Sequence, residues 1–363
     1  MNITIPVGTT IYRKKQLDVT IRHTTSMMFI AKPRTGKGSL AKHCCVYESM
    51  KRPIFIFDRK GEWKNHITAP NYEIENDYAM CIPGIHTYTD FTFKISDFSQ
   101  RQDLLALRFD YDSISFLEMV LQSRFHHQDN IERIISMINE LPTKKEELPV
   151  FNRKYGTRLQ VVIHVLTRDS MGRRLEQIKD WFWQGPQDKR KFYNFGEEWL
   201  KHDHCIVDFG EDDEKDPYRY KAFVGKMLTQ LKKVYQRKKG AIYFEEASLL
   251  FPEVSIESTD IPRSNREGRD LVTIYPKLGT AGRFIFQHPD QFDNHILTHS
   301  TSVKFIGKLE KQSAMYSHLN HVIMNLKFSN TGKFISEFIY YGLDDRYVVF
   351  NPVIPCCEYK SDL

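Results

Sequence analysis

Five short runs along the chain are apolar without alternation: Met27–Ile30, Ile54–Phe57, Cys205–Val207, Ala241–Phe244 and Phe284–Phe286. Apolar character on both sides of a strand predicts burial on both faces, as in a parallel sheet covered by helices. Each run then gives way to a loop or a polar group: Ala31 and the residues after it, Asp58, Asp208, Glu245-Glu246 and Gln287. Ligands of such sheets bind beyond the carboxyl ends of the strands, where these acids and the glutamine fall. Ser302–Ile306, Phe338–Tyr341 and Tyr347–Phe350 predict further strands, the last two as an edge hairpin through Gly342–Asp345. Strand order is not readable from the pattern.

Helical periodicity is clearest after Asp216-Pro217, a cap followed by proline at the first turn, with Tyr220, Phe223, Val224, Met227, Leu228 and Leu231 on one face. From about Ser99 to Leu200 the pattern changes. Amphipathic segments at Ile114–Phe125, Ile131–Ile138, Leu159–Leu166 and Leu175–Trp183 are joined by the Pro- and charge-rich Leu141–Pro149, which predicts a mainly helical insertion. The expected architecture is α/β: a central, mostly parallel sheet flanked by helices. Its first part spans 1–98, the insertion 99–200 and its second part 201–363.

A chain of 363 residues can bury a sizeable core, and 41% hydrophobic with 27% charged residues is a folded composition, which excludes small disulfide scaffolds and disorder. The apolar runs are shorter than the ~18 residues of a membrane helix, and Met1–Gln16 has no apolar signal-peptide core, so a cytoplasmic chain without a membrane segment is expected. The net charge of +6 permits a polyanionic partner without demanding one. Cys44-Cys45, Cys81, Cys205 and Cys356-Cys357 show no C-x-x-C spacing, and His126-His127 and His202/His204 have no matching ligands, so reduced thiols are expected and zinc is not.

The chemistry concentrates at the run ends. Ala31-Lys32-Pro33-Arg34-Thr35-Gly36-Lys37-Gly38-Ser39 follows a strand and opens a helix. Backbone N–H groups at such a helix start face an anion, and a lysine such as Lys37 neutralises β/γ-phosphate oxygens. The same residues also suit a plain glycine-containing turn. Ala31 stands where G-x-x-x-x-G-K-[ST] has its first glycine, and Gly38 where it has a hydroxyl. Of the acids, Glu245 suits Mg²⁺ and Glu246 suits an attacking water; a solvated acidic turn is the bland alternative. Gln287 suits sensing of a γ-phosphate, and Asp58 suits either the phosphate site or capping.

Together these segments resemble the HerA/FtsK superfamily of ring-forming, ATP-driven DNA translocases, which includes conjugative coupling proteins and some viral packaging motors. Ala31–Ser39 is similar to the loop of coupling proteins, Phe57–Glu62 to Asp-x-Lys-Gly-Glu, Phe244–Ala247 to the Glu-Glu-Ala of HerA, and Gln287-His288-Pro289 to its Gln-Arg-Pro sensor. The resemblance covers Met27–Trp63 and His204–Leu309 and leaves the insertion unmatched. It implies a P-loop NTPase fold of RecA/FtsK type that binds ATP through Pro33, Arg34, Thr35, Gly36, Lys37, Gly38 and Ser39. It implies Mg²⁺ assisted by Glu245, with Ser39 or Thr35 in place of the missing hydroxyl, Glu246 as base and Gln287 as sensor. For the arginine that such rings insert into a neighbour's site, Arg263, Arg266, Arg269, Lys277 and Arg283 are candidates. Residue type places Arg269 first, and position relative to Gly279 favours Lys277. The early phosphate loop implies a motor trimmed of the N-terminal barrel of cellular HerA proteins.

The implied partners are double-stranded DNA, other copies of the chain in a homo-hexamer, and a nuclease, capsid or secretion channel. Basic stretches at Arg13–Lys15, Lys189–Lys191 and Lys232–Lys239 suit either a solvated face or phosphate contacts, and Trp181-Phe182-Trp183 suits insertion core or a subunit contact. Gly38 also motivates a rival, a nucleotide-gated ring-forming module with little hydrolysis. A small-molecule kinase is opposed by the glutamate pair and Gln287.

Overall fold

The computed structural model describes residues 2–61, 63, 82–122, 130–210, 217–254, 261–299, 302–328, 336–342 and 346–352. Glu62, Cys81, His126, His127, Asp216, Cys356 and Cys357 lie outside them, as do Phe125 of its predicted helix and residues 343–345 of the predicted hairpin.

The strands are β1 (Asn2–Thr10), β2 (Gln16–Arg22), β3 (Ser26–Ile30), β4 (Ile54–Asp58), β5 (His86–Tyr88), β6 (His204–Asp208), β7 (Ala241–Phe244), β8 (Ala281–Phe286), β9 (Ser302–Ile306), β10 (Phe338–Tyr341) and β11 (Tyr347–Pro352). They form one sheet in the order β2-β1-β11-β10-β9-β3-β8-β7-β4-β6-β5. From β9 to β5 every pairing is parallel, and from β9 outward to β2 every pairing is antiparallel. All five continuous apolar runs lie in the parallel part, and the three later runs are strands as well.

Alternation along each strand sends side chains to opposite faces, and each face has its own core. Met27, Phe29, Ile54, Ile56, Ile206, Tyr243 and Ile285 pack beneath helix α1 (Lys37–Ser49) through Leu40, Ala41, Cys44 and Cys45. Met28, Ile30, Phe55, Phe57, Phe244, Phe284 and Phe286 face the other way, onto the helices Pro217–Lys232 and Arg263–Thr273. Cys44, Cys45 and Cys205 are buried free thiols, and burial raises the Cys45 pKa well above its ordinary value.

Among the described residues, 99–200 hold six α-helices, Arg101–Ala106, Tyr111–Gln122, Ile131–Asn139, Leu148–Tyr155, Val165–Ile178 and Phe195–Lys201. Their apolar side chains join the second face's core, where Phe98, Phe182 and Phe195 meet Phe93 and Phe223. Phe182 is therefore core, while Trp183 meets Phe192 edge to face and Trp181 lies beneath Arg174.

Two elements differ from expectation. The hairpin β1–β2 does not show as continuous apolar runs because its apolar residues, Ile3, Ile5, Val7, Val19 and Ile21, alternate with polar ones over a half-buried ribbon. Leu159–Leu166 is not a helical segment: Leu159–His164 belongs to no helix or strand, and helix Val165–Ile178 starts only after His164, whose Nδ1 accepts the Leu166 N–H. Three successive β-branched residues, Val161, Val162 and Ile163, lose χ1 freedom in a helix and oppose its extension backwards. No helix among the described residues is long and apolar enough to cross a membrane.

Candidate functional site

β3 ends at Ile30 and the chain turns through Lys32–Thr35 into α1. Gly36, in the left-handed region at φ 87°, caps the helix, supplies no side-chain cap, and is followed by no acid in the first turn. A helix start has N–H groups without intrahelical partners and a positive dipole end, a chemistry that suits an anion. Lys37 and Ser39 are half-buried in that first turn, and Pro33 and Arg34 are exposed. Thr35 is buried and its hydroxyl donates to the Lys32 carbonyl at 2.9 Å, so it closes the turn.

Of the two departures from the loop pattern, only the one at Ala31 meets a steric constraint. A Cβ on Gly307, which follows the neighbouring β9, would lie 2.9 Å from both the Ala31 Cβ and the Phe338 ring, so the missing side chain at 307 leaves room for both. A Cβ on Gly38 would meet nothing within 4 Å. Packing therefore does not require glycine at 38.

Register brings the other strand ends to the same edge. Ile30 pairs with Phe286, Phe284 with Phe244, Phe57 with Phe244, and Asp58 with Asp208. Because β8 lies between β3 and β7, Gln287 stands between the lysine loop and the glutamates, and the Ala31 N–H donates to the Phe286 carbonyl at 3.3 Å. Two strand spacings are about 10 Å, a gap that a phosphate chain with a hydrated cation can span.

Glu245 is buried and accepts the Arg59 backbone N–H at 2.9 Å, and its own carbonyl accepts the Tyr220 hydroxyl at 2.9 Å. Asp58 is buried beside it and accepts the Trp63 N–H at 3.0 Å. Glu246 is half-buried and holds φ 48°, one of five non-glycine residues with positive φ among those described; Arg34 of the phosphate loop is another. Such conformations cost on the order of 1 kcal/mol each and persist where surrounding structure enforces them. For a hard cation, the Glu245 carboxylate and the Ser39 hydroxyl are oxygen donors of the right chemistry, with water completing the shell. They fit Mg²⁺.

Arg269 does not join this cluster. Its Nε donates to both Asp293 oxygens at 3.2 and 3.0 Å, with Asp293 fully buried, and Asp293 in turn accepts the Ile296 N–H. The guanidinium is held by Asp293 of its own chain. Arg263 is likewise buried against Asp103, and Arg283 lies in the core. Arg266 and Lys277 are the exposed members of that set. Of the basic stretches, Lys232 pairs with Asp270 and Glu267, and Lys238 with Asp203.

Beneath the site lies a buried charge network that motif reading missed. Glu48, near the end of α1, is fully buried and accepts Arg283 Nε at 2.9 Å, Arg283 Nη2 at 2.6 Å, the Tyr243 hydroxyl at 2.6 Å, and Arg52. Arg283 also donates to the Thr25 carbonyl and Arg52 to that of His23. Burial raises the Glu48 pKa, but Arg283 and Arg52 outweigh it and bring the carboxyl down to about 2. Thus the phosphate-loop helix is fastened to the strand that leads into Gln287 and the strand that leads into Glu245. The available signal was helical spacing, which puts Glu48 on one face with Ala41, Cys44 and Cys45.

Neither a family model nor a curated protein sequence matches the chain. Solved structures do. VirB4 of Thermoanaerobacter pseudethanolicus is similar at 13% identity and a TM-score of 0.60, over 96% of each chain. The plasmid coupling protein TrwB in complex with ADP and Mg²⁺ is similar at 10% identity and a TM-score of 0.54, over 92% of this chain and 79% of that one. Unbound TrwB gives a TM-score of 0.53. At these identities the likeness shows the fold alone, a large, mostly parallel sheet flanked by helices.

Proposed function

We propose that the chain is a cytoplasmic, Mg²⁺-dependent ATPase that drives double-stranded DNA as a ring, a homo-hexamer by analogy with the HerA/FtsK motors. The carrying observation is the register that gathers the Lys37 loop, Gln287 and Glu245-Glu246 on one sheet edge with β8 between them. TrwB, of like fold, holds ADP and Mg²⁺.

In this reading the first-turn N–H groups and Lys37 bind the phosphates, and Pro33 and Arg34 shape the open side of the loop. Glu245, oriented by Arg59 N–H and by Tyr220, would hold Mg²⁺ with Ser39, and the cation would neutralise charge on the transferring phosphoryl group. Glu246 takes the proton of the attacking water at its carboxylate, a role that fits its enforced backbone. Gln287 contacts the terminal phosphate and reports its loss along β8. A trans cation would come from Arg266 or Lys277, the exposed members of the set. A capsid, nuclease or secretion channel would supply the context in which the DNA is moved.

The test is ATP turnover with and without duplex DNA, alongside nucleotide binding. Lys37→Ala is expected to lose binding, and Glu246→Gln to keep binding and lose at least ~100-fold in turnover. Ordinary turnover in the Glu246 variant removes the base assignment. A wild-type chain that binds ATP and forms a ring, but hydrolyses slowly and ignores DNA, is instead the nucleotide-gated module that Gly38 suggests.

A further inference from the structure

The helical insertion carries a surface unlike the rest of the molecule. Val161, Val162, Val165 and Leu166 are exposed side by side in sequence, Leu166 to 71% and Val161 to 51%, and Val150 on the helix Leu148–Tyr155 is exposed to 70%. These five are among only twelve large apolar residues that are exposed in the described structure, so the apolar exposure is concentrated here. Singly exposed apolar residues are ordinary, but a contiguous strip marks an interaction site.

The strip is anchored and its backbone is open. Ile163 is buried and its N–H donates to the Pro142 carbonyl; Leu159 is buried and tied to Asn152 through its N–H and its carbonyl, each at 2.8 Å. Between these anchors, the main chain of Gln160, Val161 and Val162 takes part in no hydrogen bond among the described residues. A β-branched segment with free main-chain groups is a template for an added strand.

Charge then identifies the occupant. From Val150 to Arg174 there are six basic side chains, Arg153, Lys154, Arg158, Arg168, Arg173 and Arg174, against the single acid Asp169; Lys154 pairs with Glu140 and Arg168 with Asp169. That is +5 of the whole chain's +6, carried by one segment. Arg153, Lys154, Arg158 and Arg173 are exposed. Like charge opposes self-pairing of this face, and a nucleic acid would leave the valines and leucine unused.

We propose that Arg158–Leu166 is a docking strip for an extended, acidic segment of a partner protein. The partner adds a strand along Gln160–Val162, sets aliphatic side chains on Val161, Val162, Val165 and Leu166, and brings a carboxylate to the exposed Arg158. The strip lies outside the phosphate site, so this inference does not depend on the ATPase reading.

The probe is a short fluorescein-labelled peptide alternating glutamate with valine, titrated with the full chain and followed by anisotropy. Saturable binding is expected. Val162→Asp, Leu166→Asp and Arg158→Glu should each weaken it about tenfold or more, with unchanged circular dichroism. Absence of binding overturns the proposal. Equal binding of a peptide with serine in place of valine also overturns it, leaving a merely basic surface. Duplex DNA bound in a way that Arg158→Glu abolishes and Val162→Asp leaves intact would make the strip a nucleic-acid surface instead.

Discussion

Replacing Glu48 by glutamine keeps the shape of the side chain and removes one buried negative charge. What remains are Arg283, fully buried, and Arg52, nearly so, each without the carboxylate that balanced it. Breaking a buried pair in this way costs about 3–5 kcal/mol, a large share of the ~5–15 kcal/mol by which domains are stable. The pKa route gives a similar size. A carboxyl held at about 2 rather than at its ordinary value of 4.5 contributes about 3 kcal/mol at neutral pH. The sign follows from a depressed acid: the contribution is complete above the unfolded value and disappears as pH falls through the folded one. Urea denaturation of wild type and Glu48→Gln, followed by circular dichroism from pH 7 towards pH 3, is therefore expected to show a gap that narrows below about pH 4.5. A gap of constant size across that range would mean that the charge on Glu48 does not stabilise the fold, and would refute the argument. Because α1 begins at the phosphate loop and β8 ends at Gln287, weaker nucleotide binding by the folded variant is expected too.

Two further substitutions bear on the site. Gly38→Ser places a hydroxyl where the structure leaves open space, so melting temperature should hold and the Mg²⁺ concentration for half-maximal turnover should fall; an unchanged requirement would show that the cation is not near residue 38. Arg269→Ala removes the ion-pair partner of the buried Asp293, which keeps only the Asn265 amide and the Ile296 N–H as donors, and should lower stability by about 3–5 kcal/mol, read as a lower melting temperature; lost turnover in a variant that melts like wild type would support the trans role.

What was legible from sequence was whatever depends on local pattern. Strands buried on both faces, such as Ile54–Asp58 and Ala241–Phe244, announce themselves as uninterrupted apolar runs, and their polar ends mark the edge where the site lies. The turn at Gly36-Lys37 is equally local. Long-range pairing was not legible. Nothing in the segment around Arg283 distinguishes an arginine that meets Glu48 in the core from one that faces solvent, since the partner is 235 positions away. Strand order, which puts Gln287 between the lysine and the glutamates, is likewise a property of the assembled sheet. Leu159–Leu166 misled because its apolar spacing fits a helix while its β-branched composition opposes one.

The contact between Ala31 and Gly307 changes how a phosphate-loop signature should be searched for. Here a side chain stands where that signature has its first glycine, and the continuation of the adjacent strand is the side that carries none. A pattern confined to eight consecutive letters will pass over any chain that has moved its vacancy elsewhere. The more faithful query pairs two distant positions, one small because the other is not.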